Sequence, residues 1–269
     1  MVYNVKIIEY DDYIHIQHFD RSLSRVDFPE EEQKVIDEFE KEVIKNDFEF
    51  PQNIDEADVE RKRQHSLLCS VNRSKNNMFR IARSNNWDIF ATFTFDRNGL
   101  YTEAVDSSDY NLISKLMTSY LKGLRKECPE MKYLVVPELH KDGIHYHFHA
   151  LLSNISAEQL ELVKSNKLDS MGSEIFNIKS WEHGFSTAVY IVDQARVKNY
   201  IGKYICKDLM NKLKYKKRYY ASQNVNICPE QYYGLSLEDI YDLYGERISF
   251  VKTITVNGVN RIHYFEIKK

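Results

Sequence analysis

The chain has 269 residues, 43% of them apolar, with a formal charge of −3, four cysteines and a pI of about 6.3. That is an ordinary globular composition, long enough to bury a full core as one large domain or as a main domain with appendages. Cys69, Cys128, Cys206 and Cys228 form no C-x-x-C pair, and no apolar leader or run of 18 apolar residues occurs. This argues against a disulfide framework and a membrane partner, and for reduced thiols in the cytoplasm.

A charge near zero argues weakly against a nucleic-acid partner, but the distribution is uneven. Residues 1–60 hold 18 acidic and 6 basic side chains, which leaves the remaining chain net positive. The domain reading follows that divide, with an acidic extension at 1–60, a core at 61–225 and a C-terminal segment at 226–269.

In chain order, residues 2–18 contain two β-rich runs around Asp11-Asp12 and predict a hairpin. Residues 30–45 predict a helix with an acidic, solvated face. Residues 58–84 predict a second helix, whose Arg73, Lys75 and Arg80 belong to a basic run suited to phosphate contact or to plain solvation. WDIFATFTF at 87–95 alternates Thr92 and Thr94 with Ala91, Phe93 and Phe95, the pattern of a strand. Residues 108–127 predict a helix with Leu112, Leu116, Met117, Tyr120 and Leu121 on its buried stripe.

The segment 133–153 carries the most chemistry. An apolar run at 133–140 is followed by HKDGIHYHFHALLS at 140–153, so the two read as a hairpin turning at Asp142-Gly143, a pair favoured in type I′ turns. The period of two puts His145, His147 and His149 on one face, with Tyr146, Phe148, Ala150 and Leu152 on the other. Counting outward from the turn sets Glu138 opposite His147 and diagonal to His149. A carboxylate and two imidazoles then share a face, the outline of a metal site. Mixed oxygen and nitrogen donors with open positions suit Mg²⁺ or Mn²⁺ better than a closed structural zinc.

Beyond the hairpin, Ser156 and Gln159 form a capping-box pattern that predicts a helix over 156–165. A strand is predicted at 187–192 and a helix at 193–209, with Asp193 as its cap. On that helix Tyr200, Lys203, Tyr204 and Lys207 stand at i, i+3, i+4 and i+7 and form one stripe, a tandem Y-x-x-K. A tyrosine stripe is most often packing, but two lysines on the same stripe call for a polar groove. A phenol titrates near about 10, so a nucleophilic tyrosine needs a cation or metal beside it, and both lysines can serve. Lys212, Lys214, Lys216, Lys217 and Arg218, among tyrosines, can track single-stranded DNA by charge and stacking or form a solvated loop. A closing hairpin is predicted around Asn257-Gly258. The order of elements predicts an α+β fold with a central antiparallel sheet, helices on one face, and an N-terminal hairpin and helix as an extension.

Three motifs in order, FATFTF at 90–95, HFHALLS at 147–153 after PELHKDG, and YIGKYICK at 200–207, resemble the HUH endonuclease superfamily. The likeness is to the rolling-circle replication initiators of bacterial plasmids and single-stranded DNA phages, and it covers roughly residues 60–225. It implies an RRM-like sheet, one Mg²⁺ or Mn²⁺, and a nick in single-stranded DNA at a replication origin. The nick leaves a 5′-phosphotyrosine and a free 3′-hydroxyl. Carried over residue by residue, His147 and His149 match the H-x-H pair and Glu138 the acidic ligand. Aligning on I-H-Y-H would instead select His145 and His147. Tyr200 matches the first nucleophile and Tyr204 the second, with Lys203 and Lys207 beside them. No G-x-x-x-x-G-K-[ST] motif occurs, so a host helicase and polymerase would complete replication, in a bacterial cytoplasm. A relaxase or transposase of the same superfamily and a non-catalytic single-strand-binding module are the other readings.

Overall fold

The structure is a computed structural model, and it describes residues 1–24, 56–100, 102–194, 196, 216–256 and 260–269. The helix predicted at 30–45, the tyrosine segment 200–207, Lys212, Lys214 and the Asn257-Gly258 turn lie outside the described residues.

In order, the elements are β1 (Val2–Glu9), β2 (Tyr13–Ser24), α1 (Glu56–Arg83), β3 (Ile89–Phe93), α2 (Tyr110–Glu127), β4 (Lys132–Leu139), β5 (Tyr146–Ser153), β6 (Leu162–Leu168), β7 (Glu174–Ile178), β8 (Ser186–Tyr190), β9 (Tyr220–Ala221), β10 (Glu230–Tyr233), α3 (Leu237–Tyr244), β11 (Ile248–Val256) and β12 (Asn260–Lys268). They form two antiparallel sheets in two compact units, one of Met1–Arg63 with Cys228–Lys269 and one of Gln64–Ile227. The fold is α+β, as the pattern of elements predicts.

The larger unit holds a seven-stranded sheet in the order β6-β7-β8-β3-β5-β4-β9. Its interior is built by alternation. Ile89, Ala91 and Phe93 of β3 align with Leu152, Ala150 and Phe148 of β5, and all six are buried. Against this face packs α2, through Ile113, Met117, Leu121 and Leu124. The predicted stripe of α2 is therefore rotated. Leu112 is exposed, and Ile113 takes its place because 113, 117, 121 and 124 lie on one line at helical spacing. The cap of α2 is Asp109, whose carboxylate accepts the Asn111 and Leu112 N–H groups.

One predicted helix is absent. At 156–165 the capping box forms, with Ser156 N–H donating to Gln159 Oε1 (2.9 Å) and Gln159 N–H to Ser156 Oγ (3.2 Å). It heads only a turn. Glu161 takes a positive φ of 51°, and the chain leaves as β6, which pairs with β7. The cap is a local signal, and the distant strand partner overrides it.

The smaller unit is a five-stranded sheet, β10-β1-β2-β12-β11, with a core of Val5, Ile7, Ile14, Ile16, Ile240, Phe265 and Ile267. The N-terminal hairpin is present as predicted, and so are both strands of the C-terminal one. The sheet also joins them, because β2 pairs with β12.

Gly184 marks a close backbone approach in the larger unit. It has φ +148°, and a Cβ there would stand 2.4 Å from Asp96 N and 2.6 Å from Thr94 O. The hydrogen bonds Thr94 N–H to Phe185 O and Asp96 N–H to His183 O close that approach. Gly184→Ala is expected to cost about 2–3 kcal/mol, read as a fall in the urea midpoint; an unchanged midpoint would show that the backbone there yields freely.

Candidate metal centre

The site stands on β5, an interior strand flanked by β3 and β4. Tyr146, Phe148 and Ala150 point into the core, so His147 and His149 must point away from it. The register of β4 against β5 pairs Glu138 with His147, Leu139 with Tyr146 and Val136 with His149, as counted from the sequence. His140 N–H donates to His145 O at 2.8 Å and continues the ladder toward the turn.

The turn itself differs from the expected type I′ geometry. Only Gly143 of the Asp-Gly pair has a positive φ (68°), and its N–H bonds His140 O at 2.8 Å. The turn is thus centred on Lys141-Asp142. The reason lies in Asp142, whose Oδ1 accepts the N–H groups of Ile144 (2.9 Å) and His145 (3.0 Å). Those bonds and the His145 side chain hold its carboxyl below the usual range.

Glu138, His147 and His149 come together. His149 Nε2 lies 2.6 Å from Glu138 Oε2, His147 Nε2 lies 3.3 Å from the same oxygen, and the two imidazole nitrogens are 3.0 Å apart. All three ligand atoms fall within 4.8 Å of one another. The side chains are 12%, 14% and 18% exposed for His147, His149 and Glu138, so the site is open on one side and shielded on the rest.

Burial pushes the Glu138 carboxyl up, but the hydrogen bonds and charges of His147 and His149 outweigh it and hold the group at about 2. The group is an anion with two imidazoles against it. This donor set fits a divalent ion: two nitrogens and one oxygen converge, and three protein ligands leave coordination positions for substrate. The His147 Nδ1 atom is buried without a hydrogen-bond partner.

His145, the alternative ligand, is drawn elsewhere. Its Nδ1 lies 2.9 Å from Asp142 Oδ2, and β5 begins only at Tyr146. His145 is outside the three-residue cluster, whereas the His140 ring lies 4.4 Å from that of His147. Burial first, then His147 and Arg97, lower the His140 imidazole.

Two neighbours of the cluster have roles that the sequence leaves unassigned. Thr92 of β3, paired with His149, places Oγ1 3.0 Å from His149 Nδ1, and the Phe90 ring stacks on His149 at 5.5 Å. The alternation of β3 already puts both on the face opposite Ala91. What the sequence does not give is that β3 lies beside β5. A partner at Nδ1 fixes the ring so that Nε2 faces the carboxylate.

The basic residues divide. Arg73 is exposed on α1, with Lys75 and Arg80 partly exposed there. Lys216 and Lys217 hold their ammonium groups 5.1 Å above the Tyr110 ring and 4.9 Å above the Tyr220 ring. Arg218 is engaged by α1, its Nη1 donating to Ser70 Oγ (2.9 Å) and Ser74 Oγ (3.3 Å). The chain enters the tyrosine segment from a fixed point. Gln194 clasps the Trp87 backbone through Trp87 N–H to Oε1 (3.0 Å) and Nε2 to Trp87 O (2.6 Å). Arg196 N–H donates to Asp193 Oδ1 at 3.0 Å, the cap expected at that position.

Residues 88–209, somewhat under half of the chain, match the family model for the replication-associated proteins typified by ORF2 and the gene 2 protein. The matched segment opens just before β3, contains Glu138, His147 and His149, and closes just after the Y-x-x-K pair. No curated protein and no solved structure matches the chain. No described helix is long and apolar enough to cross a membrane.

The sign of the Glu138 shift gives a test on metal-free protein. A depressed carboxyl contributes stability that is complete above its ordinary value of 4.5 and is lost as the pH falls toward about 2. Glu138→Gln is expected to show a shallower loss of stability across that window than wild type in urea unfolding. Parallel profiles would mean that Glu138 is not coupled to the two histidines.

Proposed function

We propose, from the match of residues 88–209 to a replication-associated protein family, that the protein is a rolling-circle replication initiator that nicks and rejoins single-stranded DNA at an origin. The observation that carries the reading is the convergence of Glu138, His147 and His149 on the outer face of an interior strand within the matched segment. Mg²⁺ or Mn²⁺ bound there would polarise the non-bridging oxygens of a phosphodiester and orient it for in-line attack.

The chain's own groups supply the rest. Glu138 contributes the negative charge that holds a cation, and Thr92 keeps His149 turned toward it. The nucleophile is Tyr200, with Tyr204, four residues on, as the second. The phenolate oxygen bonds to phosphorus, the bond to the 3′ oxygen breaks, and that oxygen leaves as a hydroxyl after taking a proton. The product is a 5′-phosphotyrosine and a free 3′ end, and reversal by that hydroxyl rejoins the strand. Lys203 and Lys207 favour the phenolate and neutralise the phosphate.

Burial supports this choice of nucleophile by weakening four other tyrosines of the same unit. It raises the phenols of Tyr110, Tyr133 and Tyr146, and it pushes Tyr120 up to about 12. Such groups are held neutral and make poor nucleophiles. Arg73, Lys75, Lys216 and Lys217 offer accessible charge for the DNA backbone. With no P-loop in the sequence, strand separation falls to a host helicase and extension to a polymerase.

The test is a covalent protein–DNA adduct on single-stranded origin oligonucleotide in Mn²⁺, resolved on a denaturing gel. Wild type is expected to form it, EDTA to abolish it, and Tyr200→Phe with Tyr204→Phe to remove it. Thr92→Val is expected to raise the Mn²⁺ concentration needed by roughly 10–100-fold. An adduct that survives the double tyrosine change sinks the nucleophile assignment, and cleavage without any adduct replaces transesterification by attack of water.

A further inference from the structure

The smaller unit holds a second cluster that none of the preceding chemistry uses. On one face of its sheet, β2 contributes Ile14 and Ile16, and β12 contributes Phe265 and Ile267, all part of the core. The apolar rows then stop. The next cross-strand pair on that face is His18 with His263, and Asp20 follows two residues along β2 on the same side. One ligand nitrogen of each histidine and a carboxylate oxygen of Asp20 lie within 4.8 Å of one another. His263 Nε2 is 3.0 Å from Asp20 Oδ1, and the two rings are 5.8 Å apart.

Two observations separate this cluster from an ordinary His–Asp pair. His18 is 6% exposed, and its Nδ1 is buried with no hydrogen-bond partner, while its Nε2 lies 3.5 Å from Asn4 Nδ2. Interior polar atoms are nearly always partnered, so an orphan nitrogen beside a second imidazole and a carboxylate points to a missing partner. The other observation is how His263 is held. Thr253, its cross-strand neighbour on β11, places Oγ1 2.9 Å from His263 Nδ1, which leaves Nε2 to face Asp20. The same arrangement holds His149 between Thr92 and Glu138. A hydroxyl at one ring nitrogen and a carboxylate at the other is how metal-binding histidines are oriented.

We propose that His18, Asp20 and His263 form a second divalent metal site, for a first-row transition ion such as Zn²⁺ or Co²⁺. Two imidazoles and one carboxylate suit such ions, and solvent supplies the remaining position. The site is structural. It ties β2 to β12, segments more than 240 residues apart, and a clip that closes so long a loop acts chiefly on the unfolded chain. It is independent of the proposed nicking reaction and of the Glu138 centre.

Co²⁺ titrated into the full chain, with bound metal counted after equilibrium dialysis and followed by visible absorption, tests this. Wild type is expected to bind two equivalents without the intense near-ultraviolet bands of thiolate ligation. Asp20→Asn with His263→Gln is expected to bind one, and His147→Gln with His149→Gln also one, so loss of either site reads separately. Co²⁺ should raise the thermal midpoint of the His147/His149 variant and do so much less for the Asp20/His263 variant. Should that second pair of changes disturb folding, Thr253→Val keeps all three ligands and is expected to weaken one of the two sites at least tenfold. The proposal is overturned if the Asp20/His263 variant binds as many equivalents as wild type. It is equally overturned if wild type binds only the equivalent lost with His147 and His149, or if Thr253→Val leaves the isotherm unchanged.

Discussion

Everything at the candidate metal centre depends on the register between β4 and β5. Side chains alternate with a period of two, so a slip of one residue would turn His147 and His149 inward and bring Phe148 and Ala150 out. Burying a residue the size of Phe148 is worth about 1.5–3 kcal/mol. The slip would also bury two imidazoles without partners. The core therefore enforces the register, and the register delivers Glu138 to His147. One set of apolar contacts stabilises the sheet and positions the cluster.

Position in the sheet adds rigidity. β5 has a strand on each side, so the backbone beneath both histidines is hydrogen-bonded to β3 and to β4. Thr92 and Glu138 reach His149 from opposite neighbours, one at each ring nitrogen. Ligands on interior strands are held more tightly than ligands on loops. His145 illustrates the difference. It precedes β5, and the Asp142 carboxylate of the turn takes it, so the H-x-H-x-H repeat yields two converging imidazoles instead of three. The aspartate that shapes the turn also decides which histidines remain available.

The parts of the structure legible in the sequence are those whose cause is local and whose pattern is redundant. Alternation, a β-branched partner run and Asp-Gly all announce the β4–β5 hairpin, and any two of these suffice to count the register. The turn type is not legible, because it depends on which oxygen of Asp142 accepts which N–H. Ser156 and Gln159 do form the box their spacing predicts, but no helix follows it; pairing of β6 with β7 outweighs one satisfied cap. Thr92 cannot be assigned to His149 without knowing that β3 neighbours β5, a contact across 57 residues. The union of β2 with β12 is more distant still, since nothing in either hairpin names the other as partner.

The repeated use of threonine has a physical basis in antiparallel sheets. Directly opposed residues bring their Cβ atoms to about 4.5–5.5 Å, and a threonine hydroxyl placed there can reach the near ring nitrogen, Nδ1, of a histidine on the next strand. The far nitrogen, Nε2, is then left for a partner on the strand beyond or farther along the face. His149 and His263 both follow this rule, with Thr92 and Thr253 as the opposed residues. His18 does not, because the residue opposite it on β1 is Val5, which has no hydroxyl to offer. Its Nδ1 is left bare for that reason, and a bare buried nitrogen between an imidazole and a carboxylate is a ligand rather than a packing element. In a sheet, then, the residue opposite a histidine indicates which of its nitrogens is already engaged and which is free to bind.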